Sequence, residues 1–286
     1  MSSRAEDAFR ADIVEIGRRM YARGYVASND GNISIRLDDA TILTTPKSVS
    51  KGFMTPDMMV VVDLDGQKIR GTRDASSELL MHLEVYKNRP DVRAVVHAHP
   101  PIATGFAVAG IPLDRAVLAE VVTTLGSIPI AEYATPSTPE LPAAVRKYIK
   151  AHDGLLLANH GALTIGPDVY AAYYKMETIE HFAKISLVTR QLGRENLLSR
   201  AEVDRLQGLR GNYGIKSPAP ICADGSENAT GPEQASCQIV EAPVSRGARL
   251  IPTDPANLDG EIRLSYRELT ALIEDAVKAL LGGQHG

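Results

Sequence analysis

The run VRAVVHAH at residues 92–99, closed by Pro100 and Pro101, constrains the fold of this chain more than any other stretch. Its apolar residues read as a buried strand, and two consecutive prolines end it there because proline has no N–H to give to a sheet ladder. Alternate residues of a strand share a face, so His97 and His99 present both imidazoles to one side without a bend in the chain. A second apolar run, LLLA at residues 155–158, leads to His160 and then a glycine. Two strand ends can thereby bring three imidazole nitrogens to one cation, and three histidines with an open fourth position describe a catalytic zinc site rather than a structural one. The same histidines read equally as semi-buried imidazoles satisfied by backbone groups. His82, His152 and His181 lack strand-end context and read as surface residues or supports of a site.

The elements around these strands follow from periodicity. Phe9, Ile13, Ile16 and Met20 form one stripe of an amphipathic helix over residues 5–23. Alternating Ile33, Ile35 and Leu37, a two-Asp turn and a strand at Ile42 and Leu43 predict an antiparallel hairpin. MMVVVDLDG at residues 58–66 extends this meander into QKIRG. Helical spacing recurs at residues 77–86, 102–109 and 169–192, and in LPAAVRKYIKAHD, which has a proline in its first turn. Further strands are expected at residues 128–131 and 154–158, and the stretch 112–125 reads as variable. The reading is an α/β body at residues 1–195, with a mainly antiparallel sheet flanked by helices. Residues 196–286 form an extension: Ser199 and Glu202 have capping-box spacing, residues 215–250 are rich in Pro, Ser, Gly and Ala, and a last amphipathic helix starts near Tyr266.

Other residues carry possible chemistry. Ser76 and Ser77 can cap a helix beginning near Glu78, offering backbone N–H groups and hydroxyls to an anion. Glu78 beside a cation-bound carbonyl compound could move a proton on carbon, or could simply be a first-turn acid favouring the helix dipole. The turn Asn29, Asp30, Gly31, Asn32 can present N–H groups to a phosphate, with Asn32 adding an amide, or serve only as a turn. Thr45, Lys47 and Ser48 have an anion-binding composition that a solvated loop would share.

In order and spacing, SNDGNISIR, ILTTPKS, SSE, RPDVRAVVHAHP and LLLANHGALTIG resemble the class II aldolase/adducin family. The resemblance implies a class II aldolase-like three-layer body, with His97, His99 and His160 as metal ligands and Glu78 as acid/base. It also implies substrate phosphate contacts from Asn32, Lys47, Ser48, Ser76 and Ser77. Zn2+ suits three imidazoles, with Mn2+, Co2+ or Fe2+ as alternatives. The implied reaction is aldol cleavage of a small ketose 1-phosphate to dihydroxyacetone phosphate and an aldehyde. Decarboxylation or epimerisation of a sugar-derived or aromatic acid, and a non-enzymatic adducin-like scaffold, are the alternatives. Two departures bear on this choice: Leu118 stands where fuculose-phosphate aldolase has a tyrosine, and Glu120 falls near the position of a catalytic aspartate in ribulose-phosphate 4-epimerase. Ser48 also replaces a glycine. Family members are commonly homotetramers with sites at subunit boundaries, where Tyr213 or the closing helix would complete a neighbour's pocket.

Composition narrows the partners. The 286 residues carry 31 Lys and Arg against 35 Asp and Glu, so no basic excess recruits nucleic acid. There is no Trp and aromatics are 5%, leaving little surface for stacking. A small phosphorylated substrate gripped by metal, amides and hydroxyls needs none. Cys222 and Cys237 lack metal-knuckle spacing, and neither a signal-type h-region nor a run of about 20 apolar residues is present, so the expectation is a cytoplasmic protein without a membrane partner.

Overall fold

The computed structural model describes residues 3–218, 220, 221 and 270. The closing helix and both cysteines lie outside the described residues. Helix α1 (Ser3–Ala22) buries Ile13, Ile16 and Met20 completely, as its stripe requires. Strands β1 (Asn32–Arg36) and β2 (Thr41–Thr44) form the expected antiparallel hairpin, with Ile35 opposite Leu43. Asp38 accepts hydrogen bonds from the Ala40 and Thr41 N–H groups in its turn. Strands β3 (Val60–Asp63) and β4 (Lys68–Arg70) continue the meander after the 3-10 turns Lys51–Phe53 and Pro56–Met58.

Helix α2 (Leu79–Asn88), strand β5 (Ala94–Ala98) and helix α3 (Pro101–Ala109) follow. The stretch read as variable contains a short helix, α4 (Ala119–Thr124). Next come β6 (Ile130–Ala131), α5 (Glu140–Arg146) and β7 (Gly154–Leu157). Strand β8 (Gly161–Gly166) is an addition to the expected elements, because a glycine at each end of GALTIG conceals a strand that is wholly buried. Helix α6 (Val169–Gln191) starts on Asp168, whose carboxylate accepts the Ala171 N–H. Helix α7 (Arg200–Gly208) begins with the capping box of Ser199 and Glu202.

The eight strands form one sheet in the order β4-β3-β2-β1-β5-β8-β7-β6, and all neighbours are antiparallel except β6 and β7. Alternation divides the core between two faces. Ile33, Ala94, Val96 and Leu156 pack with Ile16, Phe106 and Ile179 on the face covered by α1, α3 and α6. Val62, Val95, Leu155 and Leu163 pack with Leu83 and Val145 on the face covered by α2 and α5. This is the three-layer α/β body.

Described residues beyond 195 also lie on that body. Val203 of α7 packs with Ala116 and Val122. The buried Arg210 guanidinium donates to the carbonyl oxygens of Val122 at 3.2 Å and Ser217 at 3.0 Å.

Candidate metal centre

The centre forms where β5 ends beside the start of β8. Ala98 pairs with Ala162, and β1 borders β5 on its other side with Asn32 opposite His97. His97 shares the face of Val95, the face covered by α2, so the residue that starts α2 can meet its ring. His99 follows the last strand residue and is fixed by its N–H to the Tyr25 carbonyl at 2.9 Å. His160 is the last residue of a three-residue link between β7 and β8. Asn159 before it is left-handed at φ 55, a conformation asparagine tolerates better than most residues, and this closes the hairpin tightly enough to return His160 to the site.

His97, His99 and His160 each offer a nitrogen within 4.8 Å of the others. His97 Nε2 and His99 Nε2 are 3.1 Å apart, close to the ~3.3 Å expected for two imidazole nitrogens on one tetrahedral zinc with Zn–N near 2.0–2.1 Å. The opposite ring nitrogens of His97 and His99 are occupied as ligand histidines require, whereas His160 Nδ1 is buried without a hydrogen-bond partner. His97 Nδ1 lies 2.9 Å from the Ala162 carbonyl, and His99 Nδ1 lies 3.4 Å from Asp30 Oδ2. Burial pushes both pKa values down; the neighbouring imidazoles push the same way, while Glu78 and Asp30 oppose them. Neutral rings with inward lone pairs are the ligating form. The residues present therefore fit a divalent cation.

Glu78 completes the group. Its Oε1 lies 3.0 Å from His160 Nε2 and its Oε2 lies 3.4 Å from His97 Nε2. The Asn32 side-chain N–H donates to Oε2 at 2.8 Å. Glu78 itself occupies the N-cap position of α2, which the sequence reading gives to Ser76 or Ser77, yet its side chain makes no capping bond. Ser76 Oγ instead accepts the Glu78 N–H at 3.3 Å. The carboxylate is thus turned away from its helix and toward the imidazoles. Burial works to raise its pKa, but His97, His160 and Asn32 outweigh that and hold it well below the usual carboxylate range.

A cavity of about 230 Å³ opens beside the centre, and Asn32, Lys47, Ser48, Ser76, Ser77, Glu78 and His99 all line it. Ser48 has a left-handed backbone, φ 58, a conformation that glycine adopts without steric cost. Gly31 in the same wall is required: at φ 73, an added Cβ would stand 2.9 Å from the His97 carbonyl oxygen. The cavity does not include Glu120 or Tyr213. Glu120 lines a separate groove of about 1010 Å³ with Leu118, Tyr25 and His181. Tyr213 is 68% exposed in the 3-10 turn Arg210–Tyr213.

Several residues of the site escape sequence reasoning. Lys51, Pro136 and Ser137 also line the cavity, and Asp30, read from the sequence only as part of a turn, sets its carboxylate against His99. TTPKSVSKG contains two lysines, and nothing local separates the exposed Lys47 from the buried Lys51. His82 is wholly buried, with its Nδ1 2.7 Å from Ser34 Oγ.

A three-layer body with a histidine triad and a carboxylate at the ends of its central strands defines an α/β protein built around a metal site. Residues 11–187 match the Class II Aldolase and Adducin N-terminal domain, and the chain belongs to that family. It is 32% identical to a 3-oxo-tetronate 4-phosphate decarboxylase from Pectobacterium atrosepticum over 64% of this chain and 86% of that protein. It is 35% identical to an L-fuculose phosphate aldolase from Methanococcus maripaludis over 63% of this chain and 97% of that one. The crystal structure of L-fuculose-1-phosphate aldolase from Thermus thermophilus superposes with a TM-score of 0.59 at 30% identity, covering 66% of this chain and 98% of that one. Family and triad together support a metal-dependent enzyme. No helix among the described residues is long and apolar enough to cross a membrane.

Proposed function

We propose that this protein is a divalent-metal-dependent lyase that breaks a carbon–carbon bond in a small phosphorylated, sugar-derived substrate. The leading reading is aldol cleavage of a ketose 1-phosphate to dihydroxyacetone phosphate and an aldehyde. The observation that carries it is the Glu78 carboxylate, 3.0 Å from His160 and on the wall of a cavity rich in hydroxyls and cations. A bound cation, zinc being favoured by three imidazoles and Mn2+, Co2+ or Fe2+ also suiting them, would polarise the substrate carbonyl and take up the charge developing on its oxygen.

The chain's own groups do the rest. His97 and His99 are held neutral by burial and aimed by Ala162 and Asp30. Glu78, ionised and steadied by Asn32, takes up or returns the proton at the reacting carbon or its hydroxyl. Lys47, Ser48, Ser76 and Ser77 would hold the phosphate through charge and hydroxyl donors, and Asn32, with one side-chain N–H on Glu78, would have the other to offer the substrate. Tyr213, exposed and away from this cavity, would act only on a neighbouring copy in a homo-oligomer.

Decarboxylation is the second reading, favoured by Leu118. In aldol cleavage the hydroxyl on the aldehyde-side carbon must give up its proton as the carbonyl forms, a transfer that release of carbon dioxide from a carboxylate does not need, and a leucine, which cannot carry a proton, stands where the aldolases place their tyrosine. Glu120, in the separate groove, would supply an acid only if the substrate spanned both cavities. The test is product analysis on zinc-loaded protein across ketose 1-phosphates and phosphorylated keto acids. Triose phosphate plus aldehyde supports the aldolase, and carbon dioxide release supports the decarboxylase. Turnover indifferent to the phosphate would sink both. Folded protein that takes up no metal on reconstitution would leave the adducin-like scaffold.

A further inference from the structure

One charged side chain in the cavity wall has no charged partner. Lys51 is 2% exposed, and its backbone is pressed against α1 so closely that a Cβ on Gly17 would stand 2.7 Å from the Lys51 carbonyl oxygen. Its Nζ donates to two backbone carbonyls, Asn29 at 3.0 Å and Val49 at 2.7 Å. No carboxylate among the described residues forms an ion pair with it. An ammonium has three hydrogens to donate, so one remains for the cavity that Lys51 lines.

Buried cations are ordinarily paired, because neutral carbonyls replace only part of the lost hydration. Here desolvation pulls the Lys51 pKa down to about 8, with Asp30 and Glu78 opposing it from beyond contact distance. Lys47 in the same wall is exposed and can be satisfied by water, so the two lysines are not equivalent. Among the described residues, the surroundings of Lys51 supply its acceptors but no carboxylate in ion-pair contact. The missing charge is one that a ligand can bring.

We infer that Lys51 is a specificity-determining residue whose free N–H pairs with an oxyanion of the substrate, a phosphate or a carboxylate, inside the cavity beside the histidine triad. This rests on the reading that the cavity binds an anionic substrate. The ion pair lies behind the exposed Lys47 and serine contacts, and it selects for substrates whose anion reaches the buried ammonium.

The experiment uses the zinc-loaded full chain and two probes, inorganic phosphate and glycolate, titrated calorimetrically into wild type, Lys51→Met and Lys47→Met. Lys51→Met should weaken at least one probe by about tenfold or more, with zinc stoichiometry unchanged and a larger loss than in Lys47→Met. Loss confined to phosphate assigns the ammonium to the phosphate, loss confined to glycolate assigns it to a carboxylate, and loss of both leaves it serving either. Undiminished binding of both probes by Lys51→Met would overturn the inference while leaving the proposed function standing. Wild type that binds neither probe would overturn both. Methionine keeps the apolar stem and removes the unpaired charge, so the melting temperature without anion should hold or rise. A lower one with the anion-induced gain intact would mean that Lys51 only ties two carbonyls together. Should the methionine variant not fold, Lys51→Gln retains donors to those carbonyls and is read by the same titrations.

Discussion

Gly161→Ala should loosen the metal centre without touching a ligand. An added Cβ would stand 2.5 Å from the Ala98 carbonyl oxygen, 2.6 Å from His99 Cδ2 and 3.3 Å from His97 Cε1. Carbon atoms pack best at about 3.5–4.0 Å, so the neighbours must yield by roughly 1 Å. Ala98 belongs to the β5–β8 ladder opposite Ala162, and its backbone cannot retreat without opening that pairing. The His99 imidazole is the freer of the two and would be displaced. Overpacking of this kind costs about 1–3 kcal/mol, and disturbing the support of a ligand typically lowers metal affinity about 10–100-fold. Both effects are expected: urea denaturation of the metal-free protein reads the first, and zinc competition against a chromophoric chelator reads the second. Gly105→Ala is the control, because Gly105 is exposed in α3 with nothing within 4 Å of a new Cβ. That change should stabilise by up to about 1 kcal/mol and leave zinc affinity alone. Wild-type zinc affinity in Gly161→Ala would refute the claim that close packing of β8 sets the position of His99.

Glu78→Gln should bind zinc within about tenfold of wild type and lose at least about 100-fold in turnover, whereas His99→Ala should lose both; undiminished metal in His99→Ala would refute the ligand set. Burial draws the His82 pKa from 6.5 to about 4. The unfolded chain takes a proton below 6.5 that the folded chain refuses until about 4, so stability is lost as the pH drops from 6.5 to about 4, by up to about 3 kcal/mol from this residue. Urea midpoints of wild type and His82→Gln at the two ends should show a flatter dependence in the variant; parallel dependences would count against it. Asp153 pairs with Arg89 at 3.1 Å and Lys175 at 2.7 Å, all three side chains largely buried. Asp153→Ala should therefore cost about 3–5 kcal/mol, chiefly by leaving Lys175 without a carboxylate while Arg89 keeps Asp91 at 2.8 Å, and a loss under about 1 kcal/mol in denaturant melts would show that the network is solvated.

The interactions legible in the sequence are the short-range ones. The α1 stripe, the β1–β2 hairpin, the Ser199 capping box and the HxH pair before two prolines each depend on residues a few positions apart. Their geometry follows from helix and strand repeats, whatever the remainder of the chain does. Family likeness assigns roles to His160, Glu78 and residues that line the cavity, which the local pattern offers only as one of two readings. The hairpin turn that aims His160 was harder to see, since the glycines flanking β8 mask the strand, and its need for glycine appears only when Ala98 and His99 are placed against it.

What only the tertiary structure decided is which of two like residues does what. Lys47 and Lys51 are four positions apart in one polar loop, yet one is solvated and the other is buried without a counter-ion. Glu78 could cap its own helix or face the histidines. It faces them because β1 brings Asn32 alongside β5, where its amide holds the carboxylate. Burial and charge pairing are sums over neighbours that the chain brings together from distant positions. Sequence alone therefore determined that three imidazoles could meet, while packing determined how they are aimed and which charge in the adjoining cavity still lacks a partner.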